Sequence, residues 1–220
     1  MQIAFAIFLG STVPALADPS VDLSAGTLGA AASIRTPVST TTALRLTYGT
    51  WQLGRSATFD NQIIDVSAHL RLSESFRVQT IGVYGERRLR APLALVAGAV
   101  VNLNTISAVS VPADQSLTIG GVVYPEATAG TITTNVRWNR VAPYVGLALV
   151  PPPAARSAVF AEIGTFYQGK ARVAFDATGA ILANQATFQN YYDSERRQLT
   201  SELAPFVFFP VVQFGLRFRT

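Results

Sequence analysis

Apolar and polar residues alternate with a period of two along much of this chain, in segments of roughly ten residues separated by turn residues. The last such segment, Pro210–Arg219, is the clearest. Val212, Phe214, Leu216 and Phe218 fall on one face, and Gln213, Gly215, Arg217 and Arg219 on the other. Leu44, Leu46 and Tyr48 alternate with Arg45, Thr47 and Gly49. Val66, Ala68, Leu70 and Leu72 alternate with Asp65, Ser67, His69 and Arg71. Leu93 to Leu103, Tyr144 to Leu149 and Val159 to Tyr167 repeat the scheme, while Val21–Arg35 and Phe76–Gly85 alternate more weakly. The pattern predicts about eight strands. An even count returns both chain ends to one side, as a closed single-chain bacterial barrel requires. The weakest joint lies between Asn61–Leu72 and Phe76–Gly85. If these are one strand, the count falls to seven and the parity fails.

Between the strands, Glu86–Arg90 and Pro151–Ala155 read as short turns on the side of the termini. Asn104–Asn135 reads as a long loop on the other side. Within it, Leu117–Ile119 and Val122–Tyr124 flank Gly120-Gly121, a hairpin signal. A second long segment, Gly169–Pro205, predicts a short helix before the last strand. Tyr192, Leu199 and Leu203 recur at helical spacing, with Asp193 or Ser194 as the cap.

Composition decides which side of each strand faces what. Charged residues make up 14% and apolar residues 49% of the 220 positions, and mean hydropathy is +0.30. An average soluble domain carries roughly 25% charge. No apolar run reaches the ~18 residues of a membrane-spanning helix. A chain that crosses a bilayer without such a helix must close into a barrel, because lipid offers no partner to an unpaired backbone group. In that case the apolar faces point to lipid and the polar faces line the lumen. The fold class is therefore all-β, a closed antiparallel transmembrane β-barrel of about eight strands. A soluble secreted β-sandwich, with the apolar faces turned inward, is the alternative.

Residues 1–17 read as a signal peptide. Ile3 to Leu16 is uncharged and mostly apolar, and Ala15-Leu16-Ala17 is a small-x-small cleavage pattern. The n-region, Met1-Gln2, departs from the usual form in having no basic residue. Residues 18–220 then form the barrel domain. There is no cysteine, which excludes disulfides and cysteine-based zinc sites. The net charge is +4, but the basic residues are scattered apart from short runs at 86–90 and 195–197. That pattern argues against nucleic-acid binding.

Several stretches resemble a group of small, largely uncharacterised bacterial outer-membrane barrel proteins with the architecture of OmpA and OmpW. Arg140–Leu147 (RVAPYVGL) is similar to the group's K-F-A-P-Y-L-G-L strand, and Leu117–Tyr124 (LTIGGVVY) to its Y-T-I-N-G-x-x-Y loop. Tyr167–Val173 (YQGKARV) is similar to F-Q-G-x-P-K-V, and Phe209–Leu216 (FPVVQFGL) to Y-P-V-V-S-L-G-L. The matches run in order. The resemblance implies an outer-membrane barrel, with outer-membrane lipids and the barrel-assembly machinery as partners, and it brings no catalytic residue. Val212, Phe214, Leu216 and Phe218 then form the face of the strand that the machinery would handle. The group ends in an aromatic residue, whereas here Arg219-Thr220 follow Phe218.

The chemistry legible in the sequence is sparse. His69 is the single histidine and shares a strand face with Ser67, and Glu162 is predicted to point inward from another strand. Together they could form an acyl-transfer set. The plainer reading is a lumenal polar cluster of Arg45, Asp65, His69, Arg71, Glu162 and Arg217, because buried charges inside a narrow barrel need partners. Glycines inside the apolar strands suit close packing in a narrow lumen. Trp51, Tyr84, Trp138, Tyr144, Phe166 and Tyr167 lie near strand ends, as interfacial girdles do. No nucleotide, metal or nucleophile-elbow motif occurs, so no cofactor and no catalytic residue is assigned. Four functions remain open. They are a structural or surface-interaction barrel, a barrel that binds or passes small hydrophobic or narrow solutes, a lipid-modifying hydrolase, and the soluble sandwich.

Overall fold

The computed structural model describes residues 19–63, 66–112, 116–119, 122–125, 130–150, 156–179 and 186–219. The proposed signal peptide, Asp65, the Gly120-Gly121 turn and Pro151–Ala155 lie outside them. Thirteen antiparallel strands and a helix are present among the described residues.

Eight strands close into a ring. They are β1 (Ser20–Gly26), β2 (Gly29–Pro37), β3 (Thr42–Ile63), β4 (Val66–Arg90), β5 (Leu93–Asn102), β10 (Val141–Leu149), β11 (Ser157–Tyr167) and β13 (Phe208–Arg219). The order around the ring is β4-β3-β2-β1-β13-β11-β10-β5, and β5 returns to β4. Both ends of the ring sequence meet where β13 pairs with β1, Phe218 opposite Val21 and Phe214 opposite Ala25.

The count of eight holds, but two of its members differ from the sequence reading. Asn61–Leu72 and Phe76–Gly85 are not two barrel strands, since residues 66–90 form the single strand β4. Val21–Arg35 is not one strand but two, split by a two-residue turn at Thr27-Leu28. Gly29 has φ +79°, and a Cβ there would lie 2.4 Å from the Thr50 carbonyl oxygen. Only glycine accepts both that backbone angle and that approach. The two changes offset each other and preserve the parity. Glu86–Arg90 is likewise strand rather than turn; the turn sits at Ala91-Pro92.

Within the ring the alternation is inverted relative to a soluble protein. Leu44, Leu46, Val145, Leu147, Ile163 and Phe214 are 42–63% exposed, while Asp22, Arg45, Glu86, Glu162, Gln213 and Arg217 are no more than 6% exposed. Apolar side chains point outward and charged ones inward, the arrangement of a transmembrane barrel and the opposite of a sandwich core. Leu216 and Phe218 also face outward on β13, with Val212 half-buried.

β3 and β4, with 22 and 25 residues, are far too long for the membrane. At ~3.3 Å per residue β4 extends roughly 80 Å, against a hydrocarbon core of ~30 Å. The overshoot stands on the side away from the termini. There β6 (Thr105–Pro112) pairs with β4, β9 (Ile132–Arg137) with β6, and β12 (Arg172–Ala177) with β9. The hairpin β7 (Ser116–Ile119) and β8 (Val122–Pro125) joins the tip of β4, with Ile119 opposite Val122 as its sequence predicts. The region expected to be a long loop is thus a sheet continuous with the barrel wall. The helix α1 (Ala186–Glu202) starts ahead of Asp193, so neither Asp193 nor Ser194 caps it. Asp193 instead accepts a hydrogen bond from Arg196 one turn on, at 2.7 Å.

The belt has an upper boundary. Tyr48, Tyr167 and Phe208 are 44–56% exposed on its upper part, and Tyr167 and Phe208 contact edge to face. Above it β3 carries Thr50 and Gln52. A cation on the lipid face is costly at mid-membrane and cheap near the interface. Leu46→Arg is expected to destabilise the barrel in lipid vesicles by about 2–4 kcal/mol, and Thr50→Arg by about 0–1 kcal/mol, as read from urea unfolding with tryptophan fluorescence.

Candidate functional site: the lumenal charge network

The interior of the ring is filled by a network of six charges. Arg45, on β3, pairs with both oxygens of Glu162, on β11, at 2.6 and 2.9 Å. Arg217, on β13, pairs with both oxygens of Asp22, directly opposite on β1, at 2.8 and 2.7 Å. Glu86, on β4, joins the pairs: Arg35 reaches it at 2.6 Å, Arg45 at 3.1 Å and Arg217 at 3.8 Å. Three guanidinium groups therefore meet three carboxylates, and six strands contribute one residue each. Such burial is tolerable only because each charge has a partner with good geometry.

Strand register explains why these residues meet. Arg35 and Arg45 are directly opposed on β2 and β3, a repulsive pairing by itself. Glu86 lies opposite Ala43, accepts a hydrogen bond from Arg35 and forms an ion pair with Arg45. Glu162 sits opposite Gln213 and Ala148, across the lumen from β3.

Tyrosines complete the filling. The Tyr144 hydroxyl donates to Glu162 at 2.5 Å, and Arg45 lies over the Tyr84 ring at 4.9 Å. Tyr84 and Tyr144 contact edge to face at 4.9 Å between centroids. The Tyr144 ring lies across a paired Gly146 and Gly164, where a Cβ would come within 2.4 and 2.3 Å of its hydroxyl. A side chain at either position would drive the ring out of the lumen. The space left beside Arg45, Glu162 and Gln213 measures about 20 Å³ to the centre of a water molecule, enough for about one water. Both amide atoms of Gln213 lack a protein partner among the described residues, and the side chain lines that space.

The structure brings together only part of the cluster read from the sequence. Arg45, Glu162 and Arg217 meet. Arg71 does not join them; it is exposed on the projecting part of β4, opposite Thr58 and Val111. His69 and Ser67 lie farther still along β4, opposite Asp60 and Gln62. On the order of 50 Å of strand, at ~3.3 Å per residue, separates His69 from Glu86, which neighbours Glu162. Ser67, His69 and Glu162 are therefore not assembled into one set. Asp22, Arg35 and Glu86 complete the network and were missed. Glu86 sits in a run of charges that resembles a solvated turn. Asp22 and Arg35 sit in Val21–Arg35, where the alternation is weak. Parity was the available signal, since all three fall on the inward phase of their strands.

The aromatic girdle also needs correcting. Tyr84, Tyr144 and Phe166 are buried inside the barrel, and Trp51 is half-buried against Phe76 with its indole N–H donating to the Thr27 carbonyl at 3.1 Å. Of the six aromatics, Tyr167 faces outward and fits a girdle, and Trp138 is half-buried.

Two solved structures resemble this closed ring with its tall sheet. The crystal structure of Acinetobacter baumannii CarO2 superimposes with a TM-score of 0.57 at 19% identity, covering 94% of this chain and 100% of that one. The crystal structure of Acinetobacter baumannii CarO gives 0.53 at 18% identity, covering 96% and 100%. The fold is shared with the CarO barrels. At this identity the CarO likeness speaks for architecture alone. No protein-family model and no curated protein sequence matches the chain.

Removing the shared carboxylate leaves buried arginines facing one another. Glu86→Ala is expected to destabilise the barrel by about 3–5 kcal/mol, measured as a lowered urea midpoint in lipid vesicles. Arg71→Ala, on the exposed sheet, is expected to lie within about 0.5 kcal/mol of the parent.

Proposed function

We propose that this chain is a bacterial outer-membrane barrel with a structural and surface-interaction role and no turnover. Its recognition surface is the tall sheet of β3, β4, β6, β9 and β12. The observation that carries this reading is the filled lumen: six paired charges and two tyrosines occupy it, and the space beside Arg45, Glu162 and Gln213 has room for about one water. An eight-stranded barrel is just wide enough for side chains to fill, and here they do. The apolar outer belt fits membrane insertion, and the even strand count puts both termini on the periplasmic side.

The kinship proposed is with the small outer-membrane barrels that the sequence resembles. Export by the segment 1–17 and insertion by the barrel-assembly machinery, with Val212, Phe214, Leu216 and Phe218 presented on the closing strand, belong to the same proposal. Outer-membrane lipids are the partners of the apolar belt. The separation of Ser67 and His69 from Glu162 supports a non-catalytic role.

Two measurements test this. The full chain is expected in the outer-membrane fraction as a heat-modifiable band on unboiled gels. In planar bilayers the purified barrel is expected to give no porin-like conductance steps. A detergent-free soluble monomer would overturn the membrane reading, and regular steps in the parent protein would overturn the closed lumen.

A further inference from the structure

A second cavity lies above the charge network, at the base of the tall sheet, and it is of a different kind. Its volume is about 320 Å³, the lower end of the range for small-molecule sites. Phe76, Ile106, Leu203, Phe206 and Phe208 supply apolar wall. Phe209 is at its base and stacks on Phe166, which is fully buried in the barrel core. The cavity is thus a cup set over a closed plug.

Three polar side chains line this apolar cup: Asn104, Trp138 and Gln168. Asn104 is 3% and Gln168 4% exposed. Each has one side tied down. The Asn104 Oδ1 accepts from the Gln79 backbone at 2.9 Å, and the Gln168 Nε2 donates to the Phe206 carbonyl at 2.9 Å. Each also has one side unused. Asn104 Nδ2, Trp138 Nε1 and Gln168 Oε1 are buried with no hydrogen-bond partner among the described residues. Buried polar atoms are rarely left without partners in a protein that holds nothing against them. Asn104 and Gln168 are fixed by their own anchoring bonds, and together with Trp138 they present two donors and an acceptor in a cavity whose other described walls are apolar.

We infer that the cup is a binding site for a small uncharged amphiphile. Its apolar part would occupy the phenylalanine and leucine wall. Its head would accept from Asn104 and Trp138 and donate to Gln168, as a primary amide or an alcohol does. No charged side chain among the described residues lines the cavity, so an anionic or cationic head would be desolvated without compensation. The site needs no passage through the barrel, and it stands apart from whether the lumen conducts.

The test is equilibrium binding of radiolabelled octanamide to the full chain in lipid nanodiscs, with empty nanodiscs subtracted. Saturable binding of one octanamide per chain is expected, with octanoate and octylammonium binding at least about tenfold more weakly. Gln168→Leu and Asn104→Leu each remove one hydrogen bond and are expected to weaken octanamide by up to about tenfold. Leu203→Trp, which fills the cup, is expected to abolish saturable binding. Where a polar variant loses its heat-modifiable band, the Leu203→Trp result and the charged analogues on the parent chain decide. Uptake no greater than in empty nanodiscs would overturn the proposal. So would equal binding of all three head groups, or unchanged binding in a folded Leu203→Trp variant.

Discussion

Glu86 is the carboxylate on which the barrel interior depends. Arg35, Arg45 and Arg217 all approach it, and it is the carboxylate that lies between three like charges. The chain has turned its apolar side chains outward, so along the six strands of the network it has no conventional core to fall back on. What fills the space instead are paired charges whose attraction rises as water is excluded, and whose desolvation costs rise with it. Such a network contributes little net stability but tolerates almost no rearrangement. It selects one register: a slip of one residue on any of six strands would carry a charge from the lumen to the lipid.

The two remaining strands of the ring follow a different rule. On β5 and β10 the inward positions include Ala94, Val96, Val100, Ala142 and Ala148, all nearly inaccessible, beside Asn102 and Tyr144. These strands offer the arginines nothing to bind. Their small side chains leave room for the rings of Tyr84 and Tyr144, which bridge the charged and apolar strands. Tyr144 does both tasks, lying on Gly146 and Gly164 while its hydroxyl holds Glu162. β4, the neighbour of β5, continues upward into the sheet that carries the apolar cup. The lumenal plug and the cup are therefore built on one continuous wall but use opposite chemistry.

Alternation was legible wherever a strand was long and two-sided. β5, β10, β11 and β13 were placed from parity alone, and their outward residues face outward. Parity could not locate strand ends. The Thr27-Leu28 turn carries no strong turn pair, so β1 and β2 merged into one segment. Conversely, Ser73 to Ser75 looked like a break and proved to be the middle of β4. Charge runs misled in the same way: 86–90 reads as solvated by composition, yet Glu86 is inward by phase. Of the lumenal network, the members on cleanly alternating strands (Arg45, Glu162 and Arg217) were found. Arg71 was drawn in by the same logic because nothing in the sequence marks where a strand leaves the membrane.

The absence of native cysteine allows the arrangement to be read one residue at a time. Single cysteines along β10 and β13, carrying nitroxide labels in lipid vesicles, would report collision with lipid-dissolved oxygen and with a water-soluble nickel chelate. Labels at Val145, Leu147, Phe214 and Leu216 are expected to meet oxygen and not nickel, and labels at Ala148 and Gln213 to meet neither. Nickel access at Ala148 or Gln213 would contradict a filled lumen, and nickel access at Val145 or Phe214 would contradict a barrel with its apolar face in lipid.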